Sequence, residues 1–423
     1  MTDTKFKKSE LSNGIRVVSE LHPGSRAVSM GIWVLTGTRD ETPEVAGISH
    51  LLEHLVFKGT KTRSAYQIAK SLEALGGELN AYTTREYTCY HALVLKDHWE
   101  KALDVLADLV SNMKLVQKEF DLEKGVILQE IAMSEDSHED MIYDVFYEQV
   151  YGKHPLGRPI LGTPVSVARM KQTQVMDYYR RNYTGKNIII SASGCIDHED
   201  LMAGIQKRLG SKKKSELKNT RRVPRWLSRR HVVEKQAEQV HMLLGFPTAS
   251  FQDKHRFEAV VTNTLLGGGM TSKLYQSVRE KRGLVYSIHS SLNTNIDSGM
   301  LTIYAGTEAK NARKVGDLIS KEFAKIRKQG VTKADVEMCK TQIIGSILLG
   351  SDDIENRMTS LAVNEMVFGK YRAVESVIEE IKAVTVDSVN HYIRHELDLD
   401  KASGVLLGPE VKSLESWWND LKL

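Results

Sequence analysis

Cysteine is nearly missing from this 423-residue chain: Cys89, Cys195 and Cys339 are all it has. Three thiols, far apart and in no CxxC spacing, cannot build a disulfide framework, and they point to a reducing compartment. Also lacking is any uncharged apolar run near the roughly 18 residues that would span a bilayer. The opening MTDTKFKKSELSNG has no apolar segment and carries acids early, unlike a secretory signal or a transit peptide. The expectation is a bacterial cytoplasmic protein with no membrane partner. What is present is ordinary globular composition, 41% hydrophobic and 26% charged, in a chain too long for a single core.

Charge is unevenly placed. Between Lys212 and Arg230 nine basic residues accompany one acid, Glu216, although the whole chain carries only +4. Such a run can bind nucleic acid or lipid headgroups. Its mid-chain place and Pro224 favour a solvated linker between domains, with no nucleic acid expected.

On either side of this stretch the chain repeats itself. VSMGIWVLTGTRDE (28 to 41) aligns with VHMLLGFPTASFQD (240 to 253) at an offset of 212, matching Met30 with Met242 and Thr36 with Thr248. Later in each half a helix with V-x-x-Y, Val175 to Tyr178 and Val389 to Tyr392, precedes a strand with Ala-Ser-Gly, Ala192 to Gly194 and Ala402 to Gly404. KALDVLADLVSNMKL (101 to 115) and KVGDLISKEFAKIRKQG (314 to 330) have the three- and four-residue apolar spacing of amphipathic helices. Strands followed by gathered helices, twice over, predict an α+β fold of two similar domains, each a mostly antiparallel sheet packed with helices. The expected division is 1–210, a basic linker 211–234, and 235–423.

Residues 50 to 54 read HLLEH. On a helix His50 and His54 share a face and can aim both imidazoles at one ion, with Glu53 beside them to take a proton from a water. Catalytic zinc takes three protein ligands and leaves a position open, so a third ligand must come from elsewhere. The best donor is DLEKGVILQEIAMSEDSHED (121 to 140), where Glu123 and Glu130 lie two turns apart on one stripe among Val126, Ile127 and Ile131. A solvated acidic face accounts for that spacing equally well. At offset 212 the second half puts Thr262, Leu265 and Leu266 opposite His50, Glu53 and His54, so the fold does not require polar residues there. A second pair, His391 and His395, has Arg394 in the acid's place and reads as surface or packing residues.

HLLEHLVFKGT, GGELNAYTTREYTCYHA (76 to 92), EKGVILQEI (123 to 131) and LLGGGMTSKLYQSVREKRGLVYS (265 to 287) follow one another over essentially the whole chain. Together they resemble the pitrilysin family of zinc peptidases, whose H-x-x-E-H signature inverts the commoner H-E-x-x-H. The chain looks most like the half-length branch that includes the mitochondrial processing peptidase β-subunit and its bacterial relatives. The resemblance implies a clam-shell metallopeptidase with one Zn2+ per chain, held by His50, His54 and Glu130, the last 76 residues after His54. Glu53 is then the catalytic base, and Glu123 supports the ligands. Asn80, Ala81, Tyr82 and Thr83 are implied to form an edge strand that binds substrate by strand addition. Arg279 and Tyr286 are implied to reach the substrate and stabilise the tetrahedral intermediate. Leu266-Gly267-Gly268-Gly269-Met270 becomes a turn or loop beside the substrate chamber; it lacks the Gly before Lys273 that a phosphate-binding loop needs.

The implied activity is zinc-dependent endopeptidase cleavage of peptides or unfolded segments inside a closed chamber. Half-length members act as pairs of chains, and this chain carries both HLLEH and Arg279/Tyr286. A homodimer is therefore expected, with that pair serving the partner's site. The acids Glu135, Asp136, Glu139, Asp140 and Asp144 point to a preference for basic peptides. The alternative is a non-catalytic or partner-dependent peptide-binding subunit. Members of that sort usually have broken zinc motifs, whereas His50, Glu53, His54 and Glu130 are all intact here.

Overall fold

The computed structural model describes residues 5–215 and 221–422. Glu216 and Lys218 of the basic stretch lie outside the described residues. Two sheets organise the chain. The first contains β1 (Lys5–Glu10), β2 (Arg16–Leu21), β3 (Ala27–Val34), β4 (Glu78–Thr83), β5 (Thr88–Leu95) and β6 (Ile188–Gly194), in the order β1-β2-β6-β3-β5-β4. The second contains β7 (Arg230–Glu234), β8 (Val240–Thr248), β9 (Ser287–Thr294), β10 (Gly299–Thr307) and β11 (Ser403–Gly408), in the order β7-β11-β8-β10-β9. Each sheet is antiparallel apart from one parallel pair, β2 with β6 and β7 with β11. With β1 set aside, the two orders correspond strand for strand, as the internal repeat predicts.

Pairing register corrects one detail of that repeat. Met30 lies opposite Ala192, and Met242 lies opposite Leu406. The last strands therefore correspond at offset 214, which is also the offset of the two V-x-x-Y helices. Gly194 matches Gly408, both at positive φ (125° and 148°), and not Gly404. The Ala-Ser-Gly alignment is a chance recurrence of small residues, four positions out of register.

The helices that matter for the first unit are α1 (Ile48–Val56), α2 (Ala65–Glu73), α3 (Trp99–Asn112) and α4 (Gln117–Asp136). Then follow α5 (His138–Tyr151), α6 (Gln172–Asn182), α7 (His198–Leu209), α8 (Arg256–Gly267), α9 (Ala312–Gln329), α10 (Lys333–Ser351), α11 (Ile354–Phe368) and α12 (Val386–His391). β3 sends Val28, Met30, Ile32 and Val34 into a core with Leu51, Leu52 and Leu55 of α1 and Leu103 and Leu106 of α3. Its Trp33 points the other way, into a cluster with Met358, Leu361 and Ala362 of α11. β8 does the same, with Met242, Leu244 and Phe246 on one face and Leu243 on the other, clustered with Ile142, Phe146 and Val150 of α5. Strands covered on both faces need continuous apolar runs, and both central strands have them.

The covering helices are exchanged. One unit comprises residues 1–132, 158–221 and 349–372; the other comprises 133–157, 222–348 and 373–423. Thus α5, from the first half of the chain, belongs to the second unit, and α11, from the second half, belongs to the first. A linear division at the basic stretch does not anticipate this. The seats are visible locally: a Cβ on Gly31 would meet Met358 Sδ at 2.8 Å, and one on Gly245 would run into the Phe146 ring.

The basic stretch is only in part a solvated linker. Lys212 Nζ donates to the carbonyls of Val110 (2.8 Å) and Tyr183 (2.7 Å), and burial pushes its pKa down to about 8. Arg221 grips Asp40 with two bonds, at 2.9 and 2.6 Å. Arg230 lies in β7 with its guanidinium 5.3 Å from the Trp418 ring. These three cations are packed into the units because carbonyls, a carboxylate and an aromatic face await them. No helix among the described residues is long and apolar enough to cross a membrane.

Charge as well as apolar contact binds α11 to the first sheet. Arg357 pairs with Glu20, both buried, and Glu365 takes Arg16 at 3.2 Å and Lys8 at 2.7 Å. Removing one partner of a buried pair strands the other's charge, at about 3–5 kcal/mol. Arg357→Met is expected to lower the urea unfolding midpoint by a corresponding amount. Glu20→Leu combined with Arg357→Met should recover much of the loss.

Candidate metal centre

α1 begins where an acid meets it. Glu41 Oε2 accepts the N–H of Gly47 at 2.7 Å, and Oε1 accepts that of Ser49 at 2.8 Å. The unpaired N–H groups at a helix start attract such a carboxylate. Leu51, Leu52, Leu55 and Val56 turn to the core. His50 and His54 are left on the half-buried side, with ring centroids 4.7 Å apart. α4 packs by Phe120, Ile127 and Ile131, and Glu123 is buried with them. Glu130 is half-buried, while Val126, placed on the same stripe by spacing, turns outward at 38% exposure.

Two turns of α4 thus present two carboxylates with different fates. Glu130 Oε2 lies 3.8 Å from the Nε2 atoms of both His50 and His54. The three ligand-capable atoms all fall within 4.8 Å of one another, the one such group of three found among the described residues. Separations of 3.8 Å are too long for hydrogen bonds. Two atoms bound to one tetrahedral zinc at about 2.0–2.2 Å would sit roughly 3.4 Å apart. A small contraction round an ion would therefore complete the set, and two imidazoles with a carboxylate suit a divalent cation of borderline softness.

Glu123 instead reaches the far side of His54, with Oε2 3.2 Å from Nδ1, while its Oε1 lies 2.6 Å from Lys58 Nζ. Burial works to raise the Glu123 carboxyl, but these two bonds hold it below the usual range. Burial works to lower His54, yet the bond to Glu123 and the charges of Glu130 and Glu53 bring it out raised. Burial, and then the charge of His54, push His50 down to about 4, so it stays neutral with a nitrogen free for a cation. His50 Nδ1 is buried without a hydrogen-bond partner among the described residues. Glu53 is raised by burial, with the Thr83 hydrogen bond and the His54 charge pulling the other way. That upward shift is the direction a general base working near neutral pH requires.

β4 lies at the edge of its sheet and pairs only with β5 among the described residues, Asn80 opposite His91 and Thr83 opposite Thr88. Asn80 is exposed, Ala81 joins the core on the α1 side, and Tyr82 packs on Trp33 on the other face. The strand meets the centre through Thr83, whose Oγ1 donates to Glu53 Oε2 at 2.6 Å. A cavity of about 440 Å³, lined by Phe57, Ile68, Leu79 and Asn80, opens alongside.

The structure brings Arg279 and Tyr286 together in the second unit, the guanidinium 5.6 Å from the Tyr286 ring and Tyr286 itself 79% exposed. Thr262, Leu265 and Leu266 are all buried on α8. The loop after α8 exposes Met270 beside a cavity of about 670 Å³ lined by Phe257, Val260 and Ile343. His391 and His395 are exposed, as surface residues. Three contributors escaped sequence reasoning: the cap from Glu41, the Thr83 bond to Glu53, and Lys58. Lys58 stands inside HLLEHLVFKGT, so its position was in view, but not its partner.

Two family descriptions match this chain: Insulinase (Peptidase family M16) over residues 16–164, and Peptidase M16 inactive domain over residues 169–343. The first span holds HLLEH, β4 and α4; the second holds Arg279 and Tyr286. An uncharacterized zinc protease of Mycobacterium leprae is 39% identical over 410 residues, covering 95% of this chain and 91% of that protein. Another, of Bacillus subtilis, is 37% identical over 401 residues, covering 95% and 98%. A protease from Helicobacter pylori superimposes with a TM-score of 0.89 at 22% identity, covering 96% of this chain and 100% of the other. A peptidase M16 inactive domain from Pseudomonas fluorescens gives 0.90 at 19% identity, covering 96% and 98%. The two solved structures speak for the fold alone.

Glu41 makes a testable contribution to the stability of this helix start. Burial drives its carboxyl up to about 7, against the N–H bonds from Ser49 and Gly47 and the charge of Arg158. A carboxyl raised in the folded state stabilises fully below its unfolded value near 4.5, and that contribution is lost as pH rises through about 7. Glu41→Gln is expected to flatten this decline by about 3 kcal/mol. Urea midpoints of both chains at a pH below and a pH above this window check it.

Proposed function

This chain belongs to peptidase family M16, and we propose that it is a zinc-dependent endopeptidase working through His50, Glu53, His54 and Glu130. The carrying observation is the meeting of three ligand atoms within 4.8 Å beside a carboxylate that a sheet-edge threonine holds. The zinc-protease names of the bacterial relatives support the choice of metal. When bound, zinc polarises the scissile carbonyl and makes a water acidic enough to attack near neutral pH. Everything else falls to the chain's own groups. His50 and His54 would hold the cation through Nε2, and Glu130 through a carboxylate oxygen. Thr83 fixes Glu53 Oε2, so Oε1 takes the proton of the attacking water and returns it to the leaving amine. An extended peptide adds to the free edge of β4, where main-chain groups hold any sequence and side-chain pockets select.

Arg279 and Tyr286 donate to the developing oxyanion in the site of a partner chain, in a homodimer that closes round a chamber. The exposed acids Glu135, Asp136, Glu139 and Asp140, with half-buried Asp144, favour basic peptides. Free cysteines and bacterial relatives support a bacterial cytoplasmic setting.

Glu53→Gln is expected to keep about one zinc per chain and to cut turnover of a quenched fluorescent basic peptide at least about a hundredfold. Wild-type turnover in that variant would remove Glu53 from its role. Zinc without turnover in the unmutated chain, with activity restored by a second protein, would favour the partner-dependent subunit. Co-expressing the Glu53→Gln chain with an Arg279→Ala/Tyr286→Phe chain should restore part of the activity that each lacks alone. No recovery would count against the exchange of residues between chains.

A further inference from the structure

We infer that Lys58 is a positioning residue that sets how strongly the centre holds its cation, by dividing the charge of Glu123 between itself and His54. The inference rests on the zinc reading above. Both oxygens of Glu123 are engaged, one 3.2 Å from His54 Nδ1 and the other 2.6 Å from Lys58 Nζ. Glu123 is 4% exposed, so little water competes for its charge. Lys58 follows the end of α1, where its N–H bonds to Leu55 O at 3.1 Å, and it lies four residues after His54. The end of α1 thus closes on one carboxylate of α4 with a ligand and an ammonium at once.

A carboxylate behind a ligating imidazole makes that imidazole a stronger donor. An ammonium on the same carboxylate draws the charge back. His50 has no counterpart, since its Nδ1 is buried without a partner among the described residues. Among the described residues, adjustment from behind the two imidazoles therefore runs through the chain Lys58–Glu123–His54. The charges also balance: Glu53, Glu123 and Glu130 face one dication and one ammonium. Taking Lys58 away leaves one negative charge in excess. The cation is then held more tightly and pulls less on a carbonyl, so affinity and turnover move in opposite directions. A loss of folding would lower both.

The test measures zinc affinity of the full chain by competition with a chromophoric chelator, alongside kcat and KM on the fluorescent peptide. Lys58→Met is expected to tighten zinc by about tenfold, the scale on which groups behind a metal ligand act. Its kcat should fall and its KM stay unchanged. Lys58→Arg, which keeps the charge, should resemble the unmutated chain in both, and Glu123→Gln should weaken zinc. If the unmutated chain binds zinc and Lys58→Met binds it equally or more weakly, this inference is overturned and the proposed function stands. If the unmutated chain takes up no zinc at all, both fall together.

Discussion

Four ionisable side chains lie between α1, α4 and the edge of the first sheet, Glu53 and Glu123 buried and His50 and His54 half-buried, and the site must meet the cost of burying them. A charge taken from water without a partner is worth several kcal/mol against folding. Each of the four meets this differently. Glu123 has two donors, Glu53 has the hydroxyl of Thr83, His54 has Glu123, and His50 stays neutral. The helix that carries three of them is pinned at its start by Glu41, whose own carbonyl takes Arg158 Nη1 at 2.5 Å. Rotating α1 would break several of these at once, which is why a site built from short side-chain contacts can be stiff.

Much of this was legible in the chain, and the failures have physical causes. HLLEH stood out because the repeat has buried apolar residues and a threonine at the same places, so polarity there is not demanded by packing. Glu130 could not be told from Glu123 by spacing, since both lie on one stripe. What separates them is the side of His54 each reaches, a tertiary fact. Thr83 and Lys58 were visible as letters, but their partners lie on other elements. The Ala-Ser-Gly alignment failed because register is set by cross-strand pairing, and small residues recur in buried strands by chance. The basic run reads as a solvated linker because counting charges does not reveal the carbonyls, the carboxylate and the ring that receive Lys212, Arg221 and Arg230.

The two units show one architecture under two sets of demands. Their strand orders agree, and each central strand is apolar on both faces. Yet α1 carries a cluster of charges, where the second unit has buried Thr262, Leu265 and Leu266. Freed of that cluster, the second unit instead presents an exposed tyrosine under an arginine. Even the seats for the covering helices differ, by two residues along the strand. Gly31 admits Met358 in one unit and Gly245 admits Phe146 in the other, while the places matching them hold Leu243 and Trp33.

The exchange of α5 and α11 imposes an order on biosynthesis. Once residue 221 has left the ribosome, every strand of the first sheet exists, but the segment that covers its outer face begins only at residue 349. At about 5–20 residues per second that interval lasts on the order of ten seconds, far longer than collapse of a chain this size. Throughout it Val18, Trp33, Cys89 and Ile189 have no helix over them. The nascent chain therefore displays an apolar sheet face, together with the orphaned helix α5, until most of the second half has been made. Closure of the first unit's outer face therefore waits on synthesis of residues 222–348, which belong to the other unit.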